Sequence, residues 1–344
     1  MVILSLGHTR FFMKHYCWTW QADHTLQVSE ILEETFSQIY PTQSNEPESP
    51  STSFHIRFPD ATIHLINKAV FIPFDGGNSG CNTTLFYNVS YLKSNLQKAV
   101  RRKQTDTALA TASQLFHRSP NELLRRLPII ATEDAYWTHW TNHVVWIMCW
   151  YSKTKTLSNL HYAVVMGMVK QLCELDVAFD YRGMDKSKSL LNPQSPLADS
   201  FHLAVTIRQN YGGMGGDMHL LAFTKEKQGW MKCGDILSGN EIHIPTFSRQ
   251  HMLLESIDFH CSNIMDGFKG EIPNSVLRKW IWEFRSGRNV RKPWTLMKPL
   301  PQWEEINKEL DRLSREYWDK AEIVSIIHEP SSKRQRLITD FIKK

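Results

Sequence analysis

The chain has 344 residues, of which 42% are hydrophobic and 22% are charged. This length suggests about two domains, and this composition excludes a wholly disordered protein. The formal net charge of +5 is a mild basic bias, which suits a nucleic-acid partner without identifying one. The apolar stretch from Val144 to Trp150 is too short to cross a bilayer, so we expect no membrane partner.

The N-terminal residues 1–90 are predicted to form a small mixed α/β part. A helix is expected over Leu26–Tyr40, and a flexible loop follows at 41–53, where Pro, Ser and Glu dominate. The alternation of apolar and polar residues from Phe54 to Phe58 predicts a strand, and the apolar run from Ala69 to Phe74 predicts another.

Helical patterns dominate the rest of the chain. An all-helical domain is expected at 91–180, a second, mostly helical domain at 197–327, and a flexible tail at 328–344. Helices are predicted at about 91–103, 105–117, 120 onward, 138–150, 157–176, 198–210, 250–286 and 302–327. The expected fold class is therefore α+β and mostly helical, with a small mixed N-terminal part, an all-helical middle, and a helical C-terminal part that ends in a disordered tail.

The six cysteines are scattered. None forms a Cys-x-x-Cys pair, so the sequence predicts neither a zinc ribbon nor a thioredoxin-type site. Single, separated cysteines in a chain of this length suit a reducing compartment.

The helical segment from Lys93 to Asp134 carries a pattern of basic, small and acidic residues. The positions are Lys98, Arg101, Asp106, Ala108, Ala112, Arg125, Arg126, Leu127, Ala131, Glu133 and Asp134. This pattern resembles the helical region that follows the ATPase core in the MgsA/RarA and Werner-helicase-interacting-protein family. The chain contains no G-x-x-x-x-G-K-[ST] loop, so the ATPase activity of that family is excluded. The resemblance implies a helical assembly or scaffold module.

The same segment also has an explanation from ordinary helix chemistry. Arg125 and Arg126 could pair with Glu133 and Asp134 across a helix–helix turn.

Several cations are candidates for nucleic-acid binding. They are Arg101, Arg102, Arg125, Arg126, Arg285, Arg288, Arg291 and Lys292. The last four follow a Trp- and Phe-rich helix end, and cations between aromatic anchors suit a nucleic acid. The alternatives are cations that favour a helix C-terminus, for the first pair, and a solvated loop, for the last four.

The candidates for catalysis are acidic residues and a histidine. Asp258 and His260 lie in one short apolar stretch, and Glu133 or Asp134 could join them around a metal. A buried, hydrogen-bonded Asp–His pair is the alternative. We predict no metal site and no cofactor, except Mg²⁺ if a metal-dependent nuclease is present; whether the chain is an enzyme stays open.

Two further patterns are weaker. His139 and His143 have helical i, i+4 spacing, but Trp140 stands where H-E-x-x-H has its glutamate, so a zincin is not supported. The glycines of 212–216 lack the Rossmann and P-loop spacings and are typical of a turn.

The C-terminal tail resembles the PCNA-interacting peptide (PIP) box. Gln335, Ile338 and Phe341 match its pattern, while Ile342 replaces its second aromatic residue. One tight helical turn would put the three apolar side chains on one side as a plug for a surface pocket. The resemblance implies the PCNA sliding clamp as a partner, and the neighbouring basic residues also suit nuclear import.

These patterns together predict a nuclear DNA replication or repair accessory factor, which docks on PCNA through its tail and contacts DNA. The first alternative is a clamp-tethered, metal-dependent nuclease or other DNA-processing enzyme. The second is a protein-interaction scaffold without DNA contact.

Overall fold

The computed structural model describes most of the chain in ordered elements. The described residues are 14–31, 54–57, 61–69, 72–74, 88–182, 184, 199–227, 229–234, 242–258, 262–268, 272–293 and 301–327. The strands are β1 (Lys14–Trp20), β2 (Leu26–Ile31), β3 (Phe54–Arg57), β4 (Ala61–Asn67), β5 (Trp137–Thr138) and β6 (Trp230–Met231). The helices are α1 (Val89–Arg101), α2 (Thr105–Arg118), α3 (Pro120–Asp134), α4 (His139–Thr154), α5 (Asn159–Glu174), α6 (Ser200–Asn210), α7 (Gly215–Glu226), α8 (Glu255–Asp258), α9 (Ser262–Gly267), α10 (Asn274–Ile281) and α11 (Trp303–Ile327). A 3-10 turn spans Arg249–His251, and a π-helical turn spans Trp282–Ser286.

The N-terminal sheet has the strand order β2-β1-β4-β3. Strands β1 and β4 run parallel, and the two outer pairs run antiparallel. In β1, the alternation of Trp18 and Trp20 with smaller or polar residues puts both indoles on one face, where they are fully buried. Ile63 and Leu65 of β4 share that face, so the sheet presents one strongly apolar side to the helices.

The predicted helix at Leu26–Tyr40 is wrong for Leu26–Ile31, which forms β2. Leu26 and Val28 pack toward the core, while Gln27 and Ser29 are exposed. This two-residue period is that of a strand, and pairing with β1 satisfies the backbone.

Helix α4 lies under the sheet and is apolar over most of its surface. Trp146 donates its indole N–H to the carbonyl oxygen of Trp18 at 3.1 Å, and its ring meets that of Trp20 edge-on at 5.1 Å. A buried indole N–H needs an acceptor, and here the acceptor is a backbone carbonyl of the neighbouring strand. This bond and the ring contact fix the sheet on the helical part.

One hydrophobic core extends from Tyr16 in β1 to Trp318 in α11. It includes residues from the N-terminal sheet, from α1–α5 and from the helices beyond residue 199, so all three predicted folded parts contribute to it. The fold is a mostly helical α+β fold with a small mixed sheet at the N-terminal side, as the sequence predicts. The tail lies outside the described residues.

Two helix starts follow clear sequence signals. Asn88 accepts a hydrogen bond from the N–H of Tyr91 at 3.1 Å and caps α1. Pro120 occupies the first turn of α3, where its missing N–H is not needed.

Candidate nucleic-acid interface

A buried group of charged and polar side chains joins the end of α1 to the end of α3. Arg101 donates from Nε to Asp134 Oδ1 at 2.5 Å and from Nη2 to Glu133 Oε1 at 2.7 Å. Gln97 donates to Glu133 Oε2 and to Asp134 Oδ2, both at 2.7 Å. We call Arg101, Glu133, Asp134 and Gln97 the internal ion-pair cluster. Its members share their hydrogen bonds, so each carboxylate meets the guanidinium and the amide.

Burial and the opposite charges within this cluster shift the pKa values of Glu133 and Arg101 in opposite directions. Burial raises the pKa of Glu133, and the adjacent Asp134 raises it further, whereas Arg101 lowers it. Burial lowers the pKa of Arg101, but the carboxylates of Asp134 and Glu133 outweigh that effect and raise it. The guanidinium therefore stays charged in the interior because the two carboxylates accompany it.

Arg126 extends the cluster toward α7. It donates to the side-chain oxygen of Gln97 and lies 3.4 Å from Asp217 Oδ2. Asp217 stands in the first turn of α7, just after the glycine-rich turn. Burial raises its pKa, while Arg126 and Arg208 lower it. The Asp217 carboxylate thus links the glycine-rich segment 212–216 to the internal ion-pair cluster.

Arg208 and Arg125 hold the glycine-rich turn through its backbone. Arg208 donates from Nε to the Arg125 carbonyl at 2.8 Å and from Nη1 to the Gly212 carbonyl at 2.9 Å. Arg125 donates to the Tyr211 carbonyl at 3.1 Å. The predicted turn at 212–216 is observed only in part, since α7 already begins at Gly215.

The basic stretch after the π-helical turn points mostly into the protein. Arg285 Nη1 donates to Asn307 Oδ1 at 2.5 Å and lies 2.8 Å from Asp311 Oδ1, both on α11. Lys292 is 1% exposed; its ammonium donates to the Glu133 carbonyl and lies 4.0 Å from the centre of the Tyr181 ring. Burial lowers the pKa of Lys292 to about 8.

Arg291 caps the C-terminal ends of two helices. Its guanidinium donates to the carbonyls of Leu175, Leu172 and Cys173 at the end of α5, at 2.7, 2.5 and 2.9 Å. It also donates to the Val100 carbonyl at the end of α1, at 2.7 Å. A cation at these termini adds a charged donor to carbonyls of the last helical turns, and it complements the helix dipoles.

Of the predicted nucleic-acid candidates, Arg288 is the most exposed. Arg101, Arg285 and Lys292 are buried, and Arg102, Arg125, Arg126 and Arg291 are half-buried. Arg102 donates to the Arg285 carbonyl at 2.8 Å and lies 3.7 Å from Glu255. The described contacts of these seven side chains join elements of the protein to each other.

An exposed indole precedes Arg288 in the chain and belongs to the Trp- and Phe-rich helix end of the sequence analysis. Trp282 is 40% exposed and begins the π-helical turn, directly after α10. Arg278 and Lys279, four and three residues earlier, are exposed as well. We call Arg278, Lys279, Trp282 and Arg288 the basic-aromatic surface. Periodicity could have found it, because Leu277, Ile281 and Phe284 form the buried stripe and leave Trp282 off that stripe.

The candidate catalytic residues are not assembled among the described side chains. Glu133 and Asp134 are together, but Arg101 and Gln97 occupy their oxygens rather than the predicted partners Arg125 and Arg126. Asp258 is the last residue of α8. Its side chain and the whole of His260 lie outside the described part of the chain. Within the described ranges, no three His, Cys, Asp or Glu side chains are grouped so as to hold a metal ion.

The comparisons with known proteins add no relative. No protein family, curated protein or solved structure matches the chain. In the part of the chain that the structure describes, no helix combines the length and the apolar character needed to cross a membrane. The PIP-box-like residues Gln335, Ile338, Phe341 and Ile342 lie outside that part.

Proposed function

We propose that this chain is a nuclear DNA replication or repair accessory factor that docks on the sliding clamp PCNA and contacts DNA. The observation that carries the docking is the sequence pattern Gln335, Ile338, Phe341. The pattern combines a polar residue for the pocket edge with an apolar plug at i, i+3 and i+4 spacing. Lys333, Arg334, Arg336, Lys343 and Lys344 surround the plug with positive charge, which favours association with an acidic surface.

The DNA contact is supported by the basic-aromatic surface. Arg288, one of the cations selected by sequence, is exposed, as is Trp282 six residues earlier. The buried candidates support the fold instead, and the proposal therefore gives the phosphate contacts to Arg278, Lys279 and Arg288.

The docking is tested with a synthetic peptide of residues 331–344 and purified PCNA in a calorimeter. We expect a dissociation constant on the order of micromolar, or about −8 kcal/mol. Phe341→Ala should weaken binding by at least ~2 kcal/mol, since it removes a buried aromatic anchor. Ile342→Phe should tighten binding, because it restores the second aromatic residue of the PIP box. A scrambled peptide of the same composition keeps the charge and serves as the control.

Equal heats from the parent and scrambled peptides would reduce the interaction to nonspecific charge attraction and end the docking proposal. The full chain and a chain that ends at residue 330 then separate the two halves of the proposal. Loss of PCNA capture with unchanged DNA binding assigns docking to the tail. PCNA capture without any DNA binding would make the chain a clamp-bound scaffold instead.

A further inference from the structure

Trp282 is held in a fixed position although it lies at the surface. The turn that it begins is π-helical, a rare conformation that often accompanies a functional position. The N–H of Gly287 donates to the Trp282 carbonyl at 2.7 Å. A Cβ at Gly287 would lie 2.8 Å from that oxygen and 2.9 Å from the indole ring, so only glycine allows the turn to close against the ring.

A buried cation lies on the inner side of this indole. The guanidinium carbon of Arg101 is 5.4 Å from the centre of the Trp282 ring. Because Glu133 and Asp134 fix Arg101 at 2.7 and 2.5 Å, the ring rests on a group that cannot move independently of the internal ion-pair cluster. An aromatic ring that is already ordered loses little conformational entropy when a ligand covers it.

Exposed cations precede and follow the indole along the chain. The N–H of Trp282 bonds to the carbonyls of Arg278 and Lys279, so the side chains of these residues occupy the same side of the helix as the ring. Arg288 follows Gly287 and is exposed. Between residues 278 and 288 the one acidic residue is Glu283, which lies 3.8 Å from Lys279. Three exposed cations therefore accompany one half-buried carboxylate.

We propose that Trp282 stacks on a base of single-stranded DNA, while Arg278, Lys279 and Arg288 contact the flanking phosphates. The inference rests on the proposed DNA contact and specifies its substrate. A duplex hides the faces of its bases in its own stack, whereas a single strand exposes them to an aromatic ring. The flanking phosphates of a stacked base would meet cations that precede and follow the indole along the chain.

The experiment measures fluorescence anisotropy of a labelled oligothymidylate of about 20 nucleotides with the full-length chain and without PCNA. Trp282→Ala should weaken binding about tenfold, equivalent to about 1.4 kcal/mol, and Trp282→Phe should lie between this variant and the parent. The control is Ile72→Ala, since Ile72 is an apolar side chain that is 66% exposed and no lysine or arginine lies within three residues of it in the sequence. Unfolding curves of each variant establish that the fold is retained.

The charges are tested in the same assay by a salt titration. Arg288→Gln should reduce the slope of log affinity against log salt by about 0.7, the value for one phosphate contact on a single strand. Lys153→Gln removes an exposed cation from α4 and should leave the slope unchanged.

Three results would overturn the inference. Trp282→Ala could bind like the parent, a duplex of the same length could bind as tightly as the single strand, or an oligouridylate could bind more tightly than the oligothymidylate. If the chain binds duplex DNA in a salt-dependent manner but one of these three results is obtained, the proposed DNA contact still holds and only the stacking inference fails. If no nucleic acid binds at low salt, both fail, while the peptide calorimetry still decides the docking on PCNA.

Discussion

The internal ion-pair cluster and the basic-aromatic surface are built from the same kinds of residue but differ in what surrounds them. Arg101 lies between two carboxylates in the interior, whereas Arg278 and Arg288 lie at the surface with one nearby acid in their segment. Trp282 separates the two regions, with Arg101 beneath its ring. An arginine that the protein has already enclosed contributes to folding, and an arginine left at the surface is available to a ligand.

The contrast holds even within one short stretch. Arg288 and Arg291 are three residues apart, yet Arg291 donates to four backbone carbonyls and Arg288 is exposed. Local density of positive charge is therefore a poor guide to nucleic-acid contact, because it does not distinguish between cations that cap helices and cations that face solvent.

The largest expected effect comes from breaking the internal ion-pair cluster. Arg101→Met should reduce the free energy of unfolding by about 3–5 kcal/mol, since it leaves Glu133 and Asp134 buried side by side without their cation. Urea unfolding measures the loss. The control is Arg278→Gln, an exposed position, with an expected change within about 0.5 kcal/mol. An Arg101→Met variant that keeps its stability but loses DNA affinity would show that Arg101 acts in DNA binding and not in folding, against the comparison drawn above.

A smaller effect is expected from the helix cap. Arg291→Lys keeps the positive charge but loses the planar fork that reaches four carbonyls, so we expect a loss of about 2 kcal/mol in unfolding free energy. Arg288→Lys is the matched control and should be neutral in stability. A comparison of the two variants by chemical denaturation tests the assignment directly. Equal stability of both would mean that the carbonyls at the ends of α1 and α5 do not depend on Arg291.

The smallest effect concerns His161, a fully buried imidazole in the first turn of α5. Burial lowers the pKa of His161 to about 3, and its Nδ1 accepts the N–H of Ser158 at 3.2 Å, which requires the neutral ring. Below pH 6.5 the unfolded chain binds a proton there that the folded chain does not bind. The contribution of neutral His161 to the free energy of unfolding is therefore fully present above pH 6.5. It is lost on acidification, by at most about 1.4 kcal/mol per pH unit.

His161→Gln should make this pH dependence shallower between pH 6.5 and 5, where carboxylates contribute least. Denaturation midpoints at several pH values measure the slope. An unchanged slope would show that His161 does not carry it, and a steeper one would mean that His161 is protonated in the folded state. A shallower slope would show that the interior treats two buried bases differently. Arg101 stays charged because acids accompany it, and His161 stays neutral.

Much of the helical fold could be predicted because its signals are local. The Ser119-Pro120 start of α3 and the apolar surfaces of α4 and α5 are visible in the sequence. Strand β1 was missed although Tyr16, Trp18 and Trp20 alternate with His15, Cys17 and Thr19, a period typical of a strand. The error at β2 has the same origin, since a short segment with Leu26 and Val28 is easily assigned to a longer helix.

For the candidate site, the sequence predicted several of the residues but not their contacts. Arg101, Glu133 and Asp134 were selected as important, but their pairing joins residues 32 and 33 positions apart, and no local pattern fixes such a partner. The acceptors of Arg291 lie 116 to 191 residues away. Exposure of Arg288 and burial of Lys292 are decided by the packing of α1, α5 and α11 around them, which propensity does not encode.

The position of Arg291 also sets an order of events during synthesis. Helices α1 and α5 leave the ribosome long before the guanidinium that caps both of them, because 191 and 116 residues separate it from Val100 and Leu175. Lys292 and Asn289 reach the end of α3 from the same late segment, through the carbonyls of Glu133 and Asp134. Until this segment emerges, the ends of α1, α3 and α5 lack the side-chain donors of Asn289, Arg291 and Lys292, and a chain cut before residue 285 lacks every one of these closing contacts.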